Sequence, residues 1–344
     1  MRERSFAAAL AVSLACVAVA RAEQHVTGGP DIDYQPAILK SSDGARIVVF
    51  ERLDPATLFG DLWITRSIDG GDTWSEPAAI IATSANERHP ALVQTGASQY
   101  VLFYLKGMSA ASSFRIFRAT SDDGVAFAEQ GQIDLGWSTG GEINPHVIRH
   151  ADGTLTMSYQ RLGSSAGVYV AESSDDGATW DTQQTQIAAS AQLPRIAYRE
   201  SDGLYLATYQ TGSTALRMWV KTTSDVHDWS ATARDFAGAG NHHDSLPVVM
   251  PDDAFVVFWI RAAGNQFDIA VKRSLDGVDW SAPLTVTDMP DADDVEPHPL
   301  VGDSSSEVEL YWGRDAPVGS LTYDIVREPA VLVNDAIFTD DFDA

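Results

Sequence analysis

Apolar and polar residues alternate along most of this chain in short runs. RIVVFER (46–52), YVLFYLK (100–106), LTMSYQR (155–161), LYLATYQ (204–210), FVVFWIR (255–261) and VELYWGR (308–314) are rich in β-branched and aromatic side chains. Each follows a polar turn such as SSDGAR or RHADGT. Period-two patterning bounded by Gly/Asp turns predicts strands. No stretch after the first residues carries a convincing helical period.

The runs recur in a fixed order. A proline opens a short apolar strand at Pro36, Pro90, Pro145, Pro194, Pro247 and Pro299, spaced 49 to 55 residues apart. A second marker keeps the same step: the turn SIDGGDTW ends at Trp74 and SSDDGATW at Trp180, with worn versions ending at Phe127, Trp229 and Trp280. Two independent markers with one period define six units. Six units of four antiparallel strands predict an all-β, six-bladed β-propeller. Within the turn, Asp accepts backbone N–H bonds, Gly takes a positive φ, and Trp fills the gap between blades. Closure of the last blade is open in sequence. SLTYDIVREPAVLVND supplies its last two strands, or QHVTG near residue 25 pairs into it.

The SxDxGxTW turns, complete at Ser67/Asp69/Gly71/Thr73/Trp74 and Ser173/Asp175/Gly177/Thr179/Trp180, resemble the Asp-box or BNR repeat of the sialidase superfamily. The resemblance covers nearly all of the chain after residue 22. It implies a sialidase-like propeller with the Asp-boxes structural and the active site on the opposite face. The family's sialidases use an arginine triad, a Tyr/Glu nucleophile pair and an Asp acid/base, and their first blade opens Arg-Ile-Pro. Here the first unit opens Tyr34-Gln35-Pro36, and Arg88-His89-Pro90 has that form in the second unit. The family's catalytic set therefore does not transfer residue by residue.

Charge and the chain start narrow the setting. MRERS followed by FAAALAVSLACVAVA and Ala20-Arg21-Ala22 reads as a signal peptide over residues 1–22. The propeller is expected over 23–334 and an acidic tail over 335–344. Cys16, the single cysteine, leaves with the signal, so no disulfide is expected. The formal net charge of −25 excludes a nucleic-acid partner. The expected product is secreted or periplasmic, monomeric, free of the membrane after cleavage, and partnered by an extracellular carbohydrate.

Candidate chemistry gathers around the prolines. Counting three residues back gives Asp33, Glu87, Glu142, Ala191, Asp244 and Glu296. The second strands end at Arg52, Lys106, Arg161, Thr211, Arg261 and Arg314. One acid–base pair per blade is the economical reading, with unit four lacking both members. That gap predicts a pocket between units three and five centred on Arg195. Its expected catalytic groups are Glu142, Asp244, His242 and His243, and its binding groups Arg195, Gln192, Arg88, Asn144 and His146. No HExxH-type spacing is present, and no metal or cofactor is expected. Binding or processing of an extracellular glycan at the mouth of the ring leads, with paired carboxylates as acid and base if the reaction is glycoside hydrolysis. The alternatives are a non-catalytic binding or scaffold propeller, and a uronate polysaccharide lyase with a His base and Arg195 neutralising the uronate.

Overall fold

A computed structural model of the chain describes residues 23–108, 110 and 113–333. The expected signal peptide, and the expected tail, lie outside them. Among the described residues every regular element is a strand, and the strands form six four-stranded antiparallel sheets. Blade 1 comprises β2 (Ile32–Lys40), β3 (Arg46–Leu53), β4 (Gly60–Ser67) and β5 (Ala78–Ile81). Blade 2 comprises β6 (Asn86–Gly96), β7 (Gln99–Gly107), β8 (Arg115–Ser121) and β9 (Ala128–Gln132). Blade 3 is β10 (Glu142–Arg149), β11 (Leu155–Arg161), β12 (Gly167–Ser173) and β13 (Thr185–Ala189). Blade 4 is β14 (Gln192–Arg199), β15 (Leu204–Thr211), β16 (Arg217–Thr223) and β17 (Arg234–Asp235). Blade 5 is β18 (His242–Val249), β19 (Phe255–Ala263), β20 (Gln266–Ser274) and β21 (Leu284–Thr285). Blade 6 takes β22 (Asp293–Val301), β23 (Glu307–Asp315) and β24 (Tyr323–Leu332) from one end of the chain and β1 (Gln24–His25) from the other. Of the two readings of the last blade the second is realised, and the first, in which the C-terminal segment supplies both last strands, is not. The segment 323–332 gives its third strand, and residues 24–25 give its fourth, in the register Gln24↔Arg327 and His25↔Val326.

The core sits between blades rather than within them. Six apolar clusters each join two adjacent blades. Val48 and Phe50 of blade 1, for example, meet Tyr311 and Ile325 of blade 6 and complete the ring. Alternation along each second strand sends one face of a sheet to the preceding blade and the other to the next, so a strand such as RIVVFER is buried on both faces.

The repeated turns join third to fourth strands. Asp69 accepts from the Thr73 N–H (2.9 Å) and from its hydroxyl, while the Gly71 N–H donates to Ser67 Oγ (2.8 Å). Asp175 and Ser173 repeat these bonds with Thr179 and Gly177. Trp74 meets Tyr311 edge-on at 6.1 Å and Trp180 meets Phe103 at 5.4 Å, each reaching the preceding blade. Gly71 has φ of 91°, and a Cβ there would overlap the Arg327 guanidinium that crosses from blade 6. Glycine is therefore required at this turn both by conformation and by space.

Candidate functional site

Each blade's first strand lines the axis of the ring, and each carries a register shift near its start. One residue there is left-handed: Gln35, His89, Asn144, Leu193, Asp244 or Glu296, with φ between 46° and 55°. None is β-branched, as that backbone demands. Such a bulge re-aims its side chain. Here Gln35, His89, Asp244 and Glu296 are turned onto an axial channel of about 420 Å³. Asn144 instead donates to Gln160 Oε1 (2.8 Å).

The bulges correct the sequence alignment. In blades 1 to 4 the residue after the bulge is the marker proline. In blades 5 and 6 it is Ser245 and Pro297, two residues before Pro247 and Pro299. The acid–base pairs shift with it. Asp33–Arg52 (2.6 Å), Glu87–Lys106 (3.6 Å) and Glu142–Arg161 (3.7 Å) form as expected. In blade 6 the partner of Arg314 is Asp294 (2.6 Å), not Glu296. In blade 5 Arg261 stands opposite His242, not Asp244. Asp244 and Glu296 are thereby released from the structural role the sequence suggested and face the axis. The duplicated proline in Glu296-Pro297-His298-Pro299 held the signal: counting back from Pro297 instead of Pro299 reaches Asp294.

The released carboxylates sit on neighbouring blades. Glu296 is pushed up to about 8, first by burial and then by the negative charge of Asp244. Gln35 Nε2 donates to its Oε1 (3.0 Å). Asp244 Oδ2 lies 2.6 Å from Nδ1 of His243, and its Oδ1 is buried with no hydrogen-bond partner. Arg195 faces both acids across the channel, and burial pulls its own affinity for protons down.

Tyr34 adjoins them from blade 1. Burial, then Glu296 and Asp244, hold its phenol protonated well above the usual range. Its ring meets Tyr323 edge-on at 5.1 Å. Next to it, Glu51 is fully buried and accepts from Arg88 Nε (2.5 Å) and from the His89 N–H (3.0 Å). Burial raises Glu51, and Arg88 opposes that shift. Sequence reading named neither Tyr34, Glu51 nor Tyr323 as site residues, and it assigned Glu296 to a salt bridge. All four come from blades 1 and 6, whose proximity exists only once the ring closes.

The remaining candidates disperse. Glu142 is buried beside Arg161 and pushed up to about 7 by burial, with Arg115 and Arg161 opposing. It does not line the channel. His242 accepts from Trp259 Nε1 (3.4 Å) on the flank of blade 5. Gln192 turns toward the Gly212 carbonyl (3.5 Å). His146 lines the channel with Arg195 and accepts the Ile196 N–H at Nδ1 (3.3 Å). The structure thus gathers Asp244, Arg195 and His146 on the channel, with Arg88 and His243 outside its lining, paired with Glu51 and Asp244. It leaves Glu142, His242, Gln192 and Asn144 in blade flanks. The centre moves from units three to five toward blades 5, 6, 1 and 2. No group of three or more potential metal ligands occurs among the described residues.

No family model and no curated protein matches this sequence. Solved structures do. A protein of unknown function from Dyadobacter fermentans superposes with a TM-score of 0.71 at 14% identity, over 90% of this chain and 97% of that one. The GH93 α-L-arabinofuranosidase of Fusarium graminearum, in complex with arabinobiose, gives 0.68 at 15% identity over 92% and 98%. The Trypanosoma rangeli sialidase, in complex with the inhibitor DANA, gives 0.66 at 12% identity over 86% of this chain and 54% of that one. At such identities the likeness is one of fold, and the fold of this chain is the sialidase-like six-bladed β-propeller.

Proposed function

We propose that the protein is a glycoside hydrolase acting on an extracellular glycan at the mouth of the ring. The observation that carries this reading is the pair of carboxylates on adjacent bulges, one of which holds its proton near neutral pH. Glu296 then donates a proton to the glycosidic oxygen. Asp244 stabilises or attacks the anomeric carbon, or activates water against it. Tyr34, Arg88 and Arg195 provide donors for sugar hydroxyls or an acidic substituent. The arabinobiose and DANA complexes of proteins with this fold support a carbohydrate ligand. The apolar leader expected at residues 1–22 supports export.

The test is incubation of purified protein with sialosides, arabinans and uronate polymers, followed by product analysis. Glu296→Gln and Asp244→Asn should each lower turnover by about 10²- to 10⁴-fold. Activity should fall as pH rises through about 8, where Glu296 loses its proton. Binding without any product would support a non-catalytic propeller instead. The His243–Asp244 contact favours a second reading, a uronate lyase in which His243 removes a proton α to the sugar carboxylate. An unsaturated, ultraviolet-absorbing product would identify that reaction.

A further inference from the structure

Below the bulge ring the channel continues to the far ends of the first strands, where Arg149 and Glu200 stand at its opening on the face opposite the mouth. Its upper part contains one guanidinium among imidazoles. Arg195 Nη1 donates to the Pro194 carbonyl (3.0 Å), and among the described residues this is the hydrogen bond that its side chain makes. Among the described residues no carboxylate forms an ion pair with it within 4.0 Å, so Glu296 and Asp244 act on it only through space. A guanidinium carries five N–H donors in a planar fork, and most of this fork has no protein acceptor.

The imidazoles around it are neutral. His146 accepts a backbone N–H at Nδ1 and therefore carries its hydrogen on Nε2, as a donor. His298 donates from Nδ1 to the Pro36 carbonyl (3.0 Å) and receives the Ile38 N–H at Nε2 (3.5 Å). His89, His146 and His298 all feel the charge of Arg195. Beside the Asp244 and Glu296 carboxyl groups, the upper channel therefore offers a fixed positive charge and N–H donors among prolines and neutral rings. Both side chains, Arg195 and His146, are part-buried and line the channel, where their N–H groups without a protein acceptor can meet a ligand.

We propose that the axial channel binds a small inorganic anion, of the halide class, between the Arg195 guanidinium and the Nε2–H of His146. The anion reaches this place from the face opposite the mouth. The site shares Arg195 with the sugar contacts proposed above, but its ligands are a guanidinium and an imidazole N–H rather than the two carboxylates, and its occupancy is read with no sugar present.

Bromide is the probe. Crystals of the unmodified protein grown with bromide should show an anomalous peak in contact with Arg195 and His146. In solution, bromide should raise the melting temperature saturably relative to tosylate, too large for the site, at equal ionic strength. Arg195→Met should remove both effects, and His146→Phe should weaken them. His146→Phe serves as the test if Arg195→Met fails to fold. A channel that contains water only overturns the proposal. So does a crystal peak with no shift in solution, or a peak that persists undiminished in either variant. None of these outcomes depends on whether a sugar is hydrolysed.

Discussion

At the scale of the residue, the repeats act as internal controls. The side chain of a residue near the end of one blade's second strand accepts the N–H of the next blade's bulge. Gln160 does this for Leu193 (3.1 Å) and Gln210 for Asp244 (3.1 Å). Blade 1 uses Glu51 for His89. A neutral amide suffices for the bond, so the extra charge serves something else, and what it contacts is Arg88. Glu51→Gln should keep the bulge bond and release Arg88. The expected result is a melting temperature near that of the unmodified protein, with weaker sugar binding and a raised KM. Collapse of the fold would instead make the ion pair structural. Glu296 gives a second prediction. Its native pKa lies above the unfolded value, so the folded state binds more protons between about 4.5 and 8, and stability falls as pH rises through that window. Glu296→Gln should flatten that slope and melt higher than the unmodified protein above pH 8, while losing activity. A mutant that melted lower at alkaline pH would contradict the assigned protonation.

At the scale of the element, the repeated turn and the bulged first strand have opposite characters. The turn uses local bonds, and its two complete copies were legible: Asp, Gly and Trp stand at the same offsets in both and each has one physical task. Thr73, through its hydroxyl and then its N–H, with help from Ser67, holds Asp69 down at about 2. Its contribution to stability is present above the unfolded value near 4 and disappears as pH falls through about 2. Asp69→Ala should lower the melting temperature at neutral pH, lose that acid dependence, and leave glycan turnover or binding intact. Loss of function at unchanged stability would assign the turns a role in ligand contact. The bulged strand was legible only in part. Proline marks the bulge in five blades, yet the φ > 0 residue before it has no fixed identity, and blade 5 replaces the proline by Ser245. A two-residue slip in blades 5 and 6 left Asp244 and Glu296 looking paired. In strands such a slip preserves which face a side chain occupies, so hydrophobic alternation could not expose the error. The pairings of Arg314 with Asp294 and of Arg261 with His242 are set by strand register, a relation between distant residues.

At the scale of the whole molecule, five blades are continuous in sequence and one is not. The first residues join blade 6 through a two-residue pairing of β1 with β24, bonds of Val26 and Thr27 with Ile325 (the Ile325 N–H to Thr27 Oγ1 at 2.9 Å), the His25–Asp324 contact, and the ion pair of Glu23 with Arg314 of β23. Removing residues 23–27 should lower and broaden the calorimetric transition, and local opening should begin at blade 6. A transition unchanged by the deletion would show that the three remaining strands close the ring unaided. The partners Gln24 and Arg327 stand 303 residues apart. During synthesis β1 therefore waits through five blades before its edge exists. In that interval β24 of one chain fits the first strand of any other copy as well as its own. Ring closure thus competes with strand exchange between molecules, and dilution during refolding sets the proportion of closed monomers to linked chains.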